Sequence, residues 1–441
     1  MPYDDLPELT ALSDTPGVRV PPDVTVPLTD RARHLLDLPP LRRLARVSQL
    51  GLVALVYPGA VHSRLEHSLG VYRLALDYLA RLRHDETFRA TVGPDDAAAF
   101  LVAALVHDIG HWPYCHPLED MGLEELPRHE DLAAAALALP EVAAVLADEW
   151  RLDHRRVASL VAGTADDPAG RLIGTLLSGP IDVDKMDYLA RDSLHAGVPY
   201  GRHFDQDRLL ASLCIDRRGR LAIGDKGRCA AELMVFARYV MFAEVYWHHA
   251  VRSATAMLQR AVWILRPVLD VAMLTRTDDA GFTAWITAAA RGTAAERLVD
   301  GLFGSRRALH KRVAVFDAVD EPAVHGALAG LPYPRLVATA RRLSAALAHD
   351  LRIPVADDDL LIDAPPVHRE VEFDIAVRSA GPDRRERPLA ECSPVVRALA
   401  REQFDRLVKR VRLFAPAGAA ERLAGRTDLA ARLLAAVADG Q

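Results

Sequence analysis

Four titratable residues follow directly on an apolar run in the segment AAFLVAALVHDIGHWPYCHPLE: His107, Asp108, His111 and His116. The run has the composition of a buried helix, where carboxylates and imidazoles are costly unless they are paired or hold a metal ion. His107 and His111 are four residues apart, which predicts that they share one face of that helix. The segment therefore predicts a partner elsewhere in the chain.

Two further segments offer such partners. In HSRLEHSLG, Arg64 and His67 are three residues apart, so a helix would place them on one face. In IDVDKMDYLARD, Lys185 adjoins a stripe at four-residue steps formed by Asp184, Tyr188 and Asp192. A connecting segment adds the adjacent pair His129 and Glu130.

Imidazoles and carboxylates together predict a metal site. This mixed nitrogen and oxygen ligand set suits Mn, Fe, Zn and, less well, Mg. Such a cation activates water and draws charge from a phosphoryl oxygen. The basic residues Arg64, Lys185 and Arg238 would then neutralise a polyphosphate, arginine through its two-pronged guanidinium.

Each of these features also has a purely structural interpretation. A lone histidine on an apolar helix is more often a core residue that is hydrogen-bonded to the backbone. Asp184, Lys185 and Asp192 could form a solvated helix face, and Arg238 and Tyr246 could pack along a long amphipathic helix. The ordered recurrence of three segments flanked by apolar periodicity favours one shared site, since the structural interpretation needs a separate reason for each.

The composition narrows the class of protein. Of 441 residues, 50% are hydrophobic and 26% are charged, which is typical of a globular protein with a large core. The net charge of −6 argues against nonspecific nucleic-acid binding, which needs concentrated Lys and Arg. The four cysteines form no CxxC pair, and neither a signal sequence nor a run of about 18 apolar residues occurs. We therefore expect a cytoplasmic protein with neither a membrane nor a nucleic acid as partner.

Hydrophobic periodicity predicts a mostly α-helical protein with a smaller α+β region at its C-terminal end. We expect an irregular or strand-like arm over residues 1–28, a helical core over 29–270 and the mixed region over 271–441. Long helices are predicted over residues 230–269 and 393–414. The short runs DLLIDAP and REVEFDIAVRS predict strands, and the Arg- and Ala-rich C-terminal end predicts a helix.

The order of these segments resembles the HD superfamily of metal-dependent phosphohydrolases. More narrowly, QLGLVALVYPGAVHSRLEHSLGV, ALVHDIGHWPYCHPLE and IDVDKMDYLARDS are similar to the SAM-and-HD-domain deoxynucleoside triphosphate triphosphohydrolases and their bacterial relatives. The similarity runs over about residues 30–265 and more thinly towards the C-terminus. It implies an HD-domain helical core, and we expect no SAM domain because no SAM-like segment precedes that core.

The resemblance also implies the residues of the site. The implied ligands of a divalent ion, which could be Mn, Fe, Mg, Zn or Co, are His67, His107, Asp108 and Asp184. The residues implied to act at the α-phosphate, at the leaving oxygen and in proton transfer are His111, His116, His129 and Glu130. The residues implied to hold the phosphates and the deoxyribose are Gln49, Arg64, Lys185, Tyr188, Asp192, Arg238 and Tyr246. Among these, Gln49 matches the contact to the 3′-hydroxyl.

The implied reaction is attack of water on the α-phosphorus of a deoxynucleoside triphosphate (dNTP), which releases a deoxynucleoside and intact triphosphate. The implied partners are the dNTP substrate and further copies of the chain, in a dimer or tetramer. Trp247 stands where relatives have a glutamine, which keeps a second hypothesis open: a phosphohydrolase of a monophosphate, a cyclic nucleotide or a modified nucleotide. A third hypothesis is a noncatalytic regulator that binds a nucleotide or a nucleic acid.

Overall fold

The computed structural model describes residues 3, 6–14, 17–352, 355–365, 374–381, 385–399 and 408–438. These residues are mostly helical with a few short strands, which confirms the predicted fold class. Their contacts divide the chain into two compact units. The first unit contains Met1–Pro113, Arg128–Met241 and Val371–Arg401. The second unit contains Tyr114–Pro127, Phe242–Glu370 and Glu402–Gln441. The domain boundaries predicted from the sequence stay a prediction.

The helix Pro94–Val106, which is buried from Ala97 to its end, forms the centre of the first unit. Its Ala-rich apolar sequence lets other helices approach closely, and Asp95 and Asp96 in its first turn complement the helix dipole. The helices that pack against it are Arg64–Leu82, His154–Val161 and Pro168–Ser178. The helix Val183–His195 packs in turn against Arg64–Leu82. This packing brings three sequence segments with titratable residues to one place.

The central helix ends at Val106, so the prediction that His107 and His111 share a helix face is wrong. His107 is the C-cap, and the chain continues as a turn. In this turn, a Cβ on Gly110 would lie only 2.0 Å from the carbonyl oxygen of His129. The turn therefore packs tightly against the start of the helix His129–Leu137, an approach that only a glycine permits.

The first unit also holds two small sheets. The hairpin Gly17–Val20 and Val24–Pro27 confirms the strand-like part of the N-terminal arm, although the helix Pro7–Asp14 precedes it. The second sheet has the strand order Leu213–Ile215, Leu221–Gly224, Ala376–Arg378 and Glu386–Pro388, with only its middle pair parallel. The strand predicted in REVEFDIAVRS is confirmed over its described part, since residues 366–373 lie outside the described residues. The remaining α-helices of the first unit are Asp30–Asp37, Pro39–Arg43, Glu86–Thr91, Pro140–Asp148, Gln206–Ser212, Arg228–Met241, Leu389–Cys392 and Pro394–Ala398.

The long helix predicted over residues 230–269 is interrupted. Arg228–Met241 is followed by the wide turn Phe242–Tyr246, and a new helix runs over His249–Leu265. The N–H of Trp247 donates to the carbonyl oxygen of Phe242 at 2.8 Å, five residues back, which is the hydrogen bond of a π-turn. Apolar periodicity continues through such a turn, so the sequence pattern did not reveal the break.

The helix His249–Leu265 organises the second unit. It packs against Glu296–Phe303, Cys115–Glu119 and a three-stranded antiparallel sheet. The strand order of that sheet is Lys311–Phe316, Val411–Ala415 and Leu361–Asp363. The other α-helices of the second unit are Val271–Leu274, Asp279–Ala290, Pro322–Leu328, Tyr333–Leu351, Ala417–Leu423 and Leu429–Ala438. Leu361–Asp363 confirms the strand predicted in DLLIDAP, and the last two helices confirm the helical end.

The helix predicted over residues 393–414 is wrong at its C-terminal end. Its start is helical over Pro394–Ala398, and residues 400–407 lie outside the described residues. Val411–Ala415 is instead the central strand of the three-stranded sheet, with all five residues buried. A strand buried on both faces shows no alternation, and periodicity does not distinguish it from a helix. Among the described helices, none combines the length and the apolar content needed to cross a bilayer.

Candidate metal centre

Side chains from three elements of the first unit meet at one point. His67 lies in the helix Arg64–Leu82, His107 caps the central helix, and Asp184 lies in the first turn of Val183–His195. Their ligand atoms all lie within 4.8 Å of one another. Nε2 of His67 is 3.2 Å from Nε2 of His107 and 3.0 Å from Oδ1 of Asp184. We call these three residues the metal cluster.

The donor atoms of the metal cluster fit a divalent cation. Nδ1 of His67 lies 2.8 Å from Asp187 Oδ2, and Nδ1 of His107 lies 3.0 Å from the carbonyl oxygen of Ala104. Each Nδ1–H therefore has an acceptor, which leaves both Nε2 lone pairs directed at the shared point. Two imidazole nitrogens and a carboxylate oxygen that converge in this way need a positive charge between them. The Asp184 side chain keeps 33% of its exposure, so the cluster is open to solvent on that side.

Asp108 lies beside the metal cluster. Its Oδ1 is 3.3 Å from Nε2 of His107 and 3.1 Å from Nδ1 of His111, and its Oδ2 accepts a hydrogen bond from Arg64 at 2.9 Å. Burial on its own raises the pKa of Asp108, but the positive charges of the histidines and of Arg64 hold it well below its usual value. Asp108 is therefore an ionised carboxylate, and its role as a fourth ligand stays a prediction.

The pKa values of His67 and Asp184 show how strongly the metal cluster attracts positive charge. Burial on its own lowers the pKa of His67, but its hydrogen bonds to Asp184 and Asp187 raise that pKa to about 10. Desolvation raises the pKa of Asp184, yet the hydrogen bond from His67 and the charges of His67 and His107 lower it to about 2. The site thus favours a cation, whether a proton or a metal ion.

Sequence reasoning missed the residues that hold His67 in place. Asp187 accepts two hydrogen bonds from Arg191 at 2.8 Å, besides its contact with His67. A Cβ on Gly70 would lie 1.9 Å from Asp187 Oδ1, so the glycine makes room for this pair against the neighbouring helix. Asp187 and Arg191 stand in the quoted motif IDVDKMDYLARD at four-residue spacing, the signal that could have identified them.

The residues predicted for proton transfer are distributed over both units. In the first unit, the rings of His111 and His129 lie 4.0 Å apart between centroids, and His129 Nδ1 is 3.5 Å from Glu130 Oε2. Partial burial raises the pKa of Glu130, but hydrogen bonds from Arg128 lower it below its usual value. In the second unit, His116 is largely exposed and has Glu119 Oε2 at 3.5 Å.

Arg64 and Lys185, which are predicted to hold phosphates, form ion pairs with carboxylates. Arg64 contacts Asp108, as described, and Lys185 Nζ lies 2.5 Å from Asp182, which also caps the helix by accepting from the Lys185 N–H. Burial lowers the pKa of Lys185, but the Asp182 charge raises it above its usual value, so the ammonium persists. Arg238 is buried, and its charge acts on both Lys185 and Tyr188. The sequence motifs identify these cations as candidates, whereas the carboxylate partners of Arg64 and Lys185 are visible only in the fold.

The residues predicted for the sugar include two buried polar groups in the first unit. Gln49 Oε1 is buried and has no hydrogen-bond partner among the described residues. The Asp192 carboxylate is also buried and lies 2.9 Å from Nε2 of His62, a residue that sequence reasoning missed. Because an amide oxygen without a donor is costly when buried, Gln49 is suited to accept a hydrogen bond from a ligand.

The second unit contains the remaining substrate residue and the unusual tryptophan. Tyr246 ends the wide turn, with its ring 5.1 Å from that of Phe242. Trp247 is buried, and the Arg252 guanidinium lies 4.5 Å from its ring centroid. The Trp247 carbonyl oxygen accepts from Arg412 at 3.0 Å, and both arginines bind the buried Asp363. We call Arg252, Asp363 and Arg412 the arginine cluster. Its two arginines contact the ring and the carbonyl oxygen of Trp247 and so hold this residue in place.

Comparisons with known proteins agree on one family. The HD domain family matches residues 64–192, and the HD associated region family matches residues 204–435. The uncharacterized protein YwfO of Bacillus subtilis is 36% identical over 222 residues, which are 50% of this chain and 48% of that protein. The deoxynucleoside triphosphate triphosphohydrolase SAMHD1 of Danio rerio is 29% identical over 281 residues, 54% of this chain and 43% of that protein.

Solved structures extend the similarity over most of the chain. A hypothetical protein from Aquifex aeolicus matches with a TM-score of 0.68 and 25% identity, covering 90% of this chain and 96% of its own. In contrast, the chain spans about half the length of the curated relatives it matches.

Proposed function

Because this chain belongs to the HD superfamily of phosphohydrolases, we propose that it hydrolyses dNTPs to deoxynucleosides and triphosphate with the help of a divalent metal ion. The observation that carries this proposal is the convergence of His67, His107 and Asp184 on one point. The choice of a dNTP is supported by the relative from Danio rerio, whose name states that activity. It is also supported by the motifs that the sequence shares with such enzymes.

The metal ion would be held by the metal cluster, with Asp108 as the fourth ligand. A divalent cation bound there supplies Lewis-acid stabilisation of the negative charge that develops on phosphoryl oxygens. Two imidazoles beside carboxylates suit Mn, Fe, Co or Zn better than Mg. Because such a site accepts several of these ions, elemental analysis of the purified protein decides between them.

Three cations of the first unit would bind the triphosphate. Lys185 keeps its charge because of Asp182, and Arg238 lies near it and near Tyr188. Arg64 is held on Asp108 and would reach a phosphate from there. Several cations around one ligand favour a polyphosphate over a monophosphate, which needs fewer counter-charges.

Proton transfer would fall to the histidines after the HD pair. Attack of water on the α-phosphorus releases one proton from the water, and the departing 5′-oxygen of the deoxynucleoside takes one up. His111, in contact with Asp108 and with its ring centroid 4.0 Å from that of His129, would exchange such a proton. In this proposal His116 acts at the α-phosphate and leaving oxygen, and His129 with Glu130 supports the transfer.

The deoxyribose would be recognised by Gln49, Tyr188, Asp192 and Tyr246. The buried Gln49 Oε1, which has no donor among the described residues, would accept from the 3′-hydroxyl. We also propose a homo-oligomer, a dimer or a tetramer, which light scattering during gel filtration would establish.

Product analysis tests the proposed function. The purified protein is incubated with each dNTP and each NTP in Mn²⁺, Mg²⁺ or Co²⁺, and the products are separated by ion exchange. We expect deoxynucleoside and intact triphosphate from dNTPs alone. Release of deoxynucleoside monophosphate and pyrophosphate would contradict departure of the 5′-oxygen, because the bond between the α- and β-phosphates would then have broken instead. An inert protein, even with mixed dNTPs present, would favour a phosphohydrolase of another nucleotide or a noncatalytic regulator.

A further inference from the structure

Two stacked histidines of the first unit have no part in the proposed reaction. The rings of His62 and His195 lie 4.3 Å apart between centroids and are inclined by only 17°. Nε2 of His62 is 2.9 Å from Asp192 Oδ1, and Nε2 of His195 is 2.8 Å from Glu66 Oε1. The His62 side chain is completely buried, so any function it has must act through its neighbours.

His62 contacts both Gln49 and Asp192, whose side chains contribute buried polar atoms to the predicted sugar site. Its side chain holds Asp192, and its carbonyl oxygen accepts from the Gln49 N–H at 2.9 Å. Ser48 and Ser63 form an antiparallel bridge beside this contact, so the two chain segments are locked side by side. His62 thereby links Gln49 and Asp192, which lie far apart in the sequence.

The hydrogen-bond geometry assigns a proton to Nε2 of His62. The Asp192 side chain is only 3% exposed, and a buried carboxylate requires hydrogen-bond donors. Nδ1 of His62 is buried and has no hydrogen-bond partner among the described residues. A proton on Nδ1 would be buried without an acceptor, whereas a proton on Nε2 is donated to Asp192. His62 thus donates from Nε2 and fixes one carboxylate oxygen of Asp192.

The stacked pair rests on the framework that also holds the metal cluster. Glu66, the partner of His195, accepts from Arg191 Nη1 at 2.7 Å. The same guanidinium binds Asp187, which contacts His67. The position of Asp192 is therefore fixed relative to the metal cluster through a continuous series of buried and part-buried contacts.

We propose that His62 is a positioning residue for recognition of the sugar 3′-hydroxyl. By donating to Oδ1, His62 fixes the Asp192 carboxylate in one orientation, in which the carboxylate accepts a hydrogen bond from the sugar hydroxyl. The same residue holds the Gln49 segment by its carbonyl oxygen. This inference rests on the proposed function, since it names the part of the dNTP that this pair of residues recognises.

A comparison of two substrates tests this role. The kcat/KM of wild type is measured on dATP and on 2′,3′-dideoxy-ATP, which lacks the 3′-hydroxyl, and the ratio gives the preference for that hydroxyl. His62→Phe keeps an aromatic ring for stacking on His195 but removes the donor. His62→Gln restores a donor near the position of Nε2. His195→Phe is the matched control, because it keeps the stack and leaves the contact with Asp192 untouched.

We expect wild type to prefer dATP. In His62→Phe the ratio of kcat/KM on dATP to that on 2′,3′-dideoxy-ATP should be about tenfold lower than in wild type, mainly because the KM for dATP rises. His62→Gln should regain most of the preference, and His195→Phe should keep it. All variants should retain the metal content of wild type, because the metal ligands are unchanged.

Three outcomes would overturn the inference. If His62→Phe loses activity equally on both substrates, the residue serves only the fold. An unchanged preference for dATP in His62→Phe would show that Asp192 binds the 3′-hydroxyl without help from His62. A wild type without any preference would show that the 3′-hydroxyl is not recognised. Each of these leaves dNTP hydrolysis intact, whereas a wild type inert on every dNTP would overturn the proposed function together with this inference.

Discussion

The metal cluster and the arginine cluster both bury charge, but their donors and acceptors are matched differently. In the arginine cluster, the Arg252 guanidinium donates to Asp363 at 2.6 Å, and Arg412 donates to Asp363 at 3.4 Å and to the Trp247 carbonyl oxygen. In the metal cluster, two imidazole nitrogens lie 3.2 Å apart with a carboxylate oxygen 3.0 Å away. Donors meet acceptors in the first case, whereas in the second three potential metal ligands converge and share only a proton that a metal ion can replace.

This difference separates a structural from a functional buried cluster. An arginine and a carboxylate satisfy each other within the protein, so the arginine cluster needs no ligand. Three converging acceptors are stable only when a cation neutralises them. The protein can bind that cation, a proton or a metal ion, from the surrounding solution. Burial and charge alone would identify both clusters as candidate sites. What distinguishes them is whether the contacting side chains satisfy one another or need an added cation.

The largest expected effect follows from removing an acceptor from the metal cluster. Asp184→Ala should abolish turnover, because only two of the converging ligand atoms remain. The fold should persist, since the Asp184 side chain is partly exposed. Activity assays and circular dichroism would check both expectations. A variant with full activity would contradict the assignment of the metal cluster.

Removing a proton-transfer residue should separate chemistry from metal binding. His111→Ala should lower kcat by about a hundredfold or more while the bound metal persists, because His111 lies outside the group of converging ligand atoms. Steady-state kinetics and elemental analysis on one preparation would measure both quantities. Loss of metal in step with activity would instead make His111 a ligand.

In the arginine cluster, the expected loss is one of stability rather than of activity. Asp363→Ala leaves two buried guanidinium groups without their carboxylate and should lower the free energy of unfolding by about 3–5 kcal/mol. Asp428→Ala is the matched control, because Asp428 also pairs with two arginines but at the surface. Its substitution should shift the urea midpoint far less. Equal shifts for both variants would contradict the role of burial.

Weakening the hydrogen bond that holds His67 in place should lower metal affinity without abolishing metal binding. Asp187→Asn weakens the acceptor for Nδ1 of His67 and should reduce metal affinity by about 10- to 100-fold, without removing any ligand. Titration against a chelator of known affinity would measure the change. An unchanged affinity would show that the helix packing alone orients the imidazole.

Metal binding should depend on pH in a defined direction. Since the pKa of His67 is raised to about 10, chelator-treated protein carries a proton there at neutral pH, and a metal ion must displace it. Because Asp184, with a pKa of about 2, is already ionised, one proton is released. The apparent affinity should therefore rise up to about tenfold for each pH unit between 6.5 and 8.5. A flat profile would contradict protonation of His67.

The sequence was most informative where a pattern is local and repeated. It predicted the mostly α-helical class and the relationship to the HD superfamily, both of which are confirmed. The convergence of His67, His107 and Asp184 followed from their placement on apolar helices that had to be buried together. Their roles in binding and catalysis stay predictions that the experiments above would test.

What the sequence did not reveal depends on contacts between distant segments. The break after Met241 rests on one hydrogen bond, and the strand Val411–Ala415 exists because two other strands pair with it. The carboxylate partners of Arg64 and Lys185, and the contact between His62 and Asp192, appear only when helices pack. Periodicity assigns a residue to a face but does not identify what lies opposite.

The most direct test of the difference between the two clusters is the metal content of three proteins purified side by side. We expect about one divalent ion per chain in wild type and in Asp363→Ala, and none in His107→Ala, as measured by plasma mass spectrometry. This result would show that the converging acceptors, and not buried charge in general, bind the cation. Equal metal content in all three proteins, or no metal in wild type after incubation with Mn²⁺, would contradict the account.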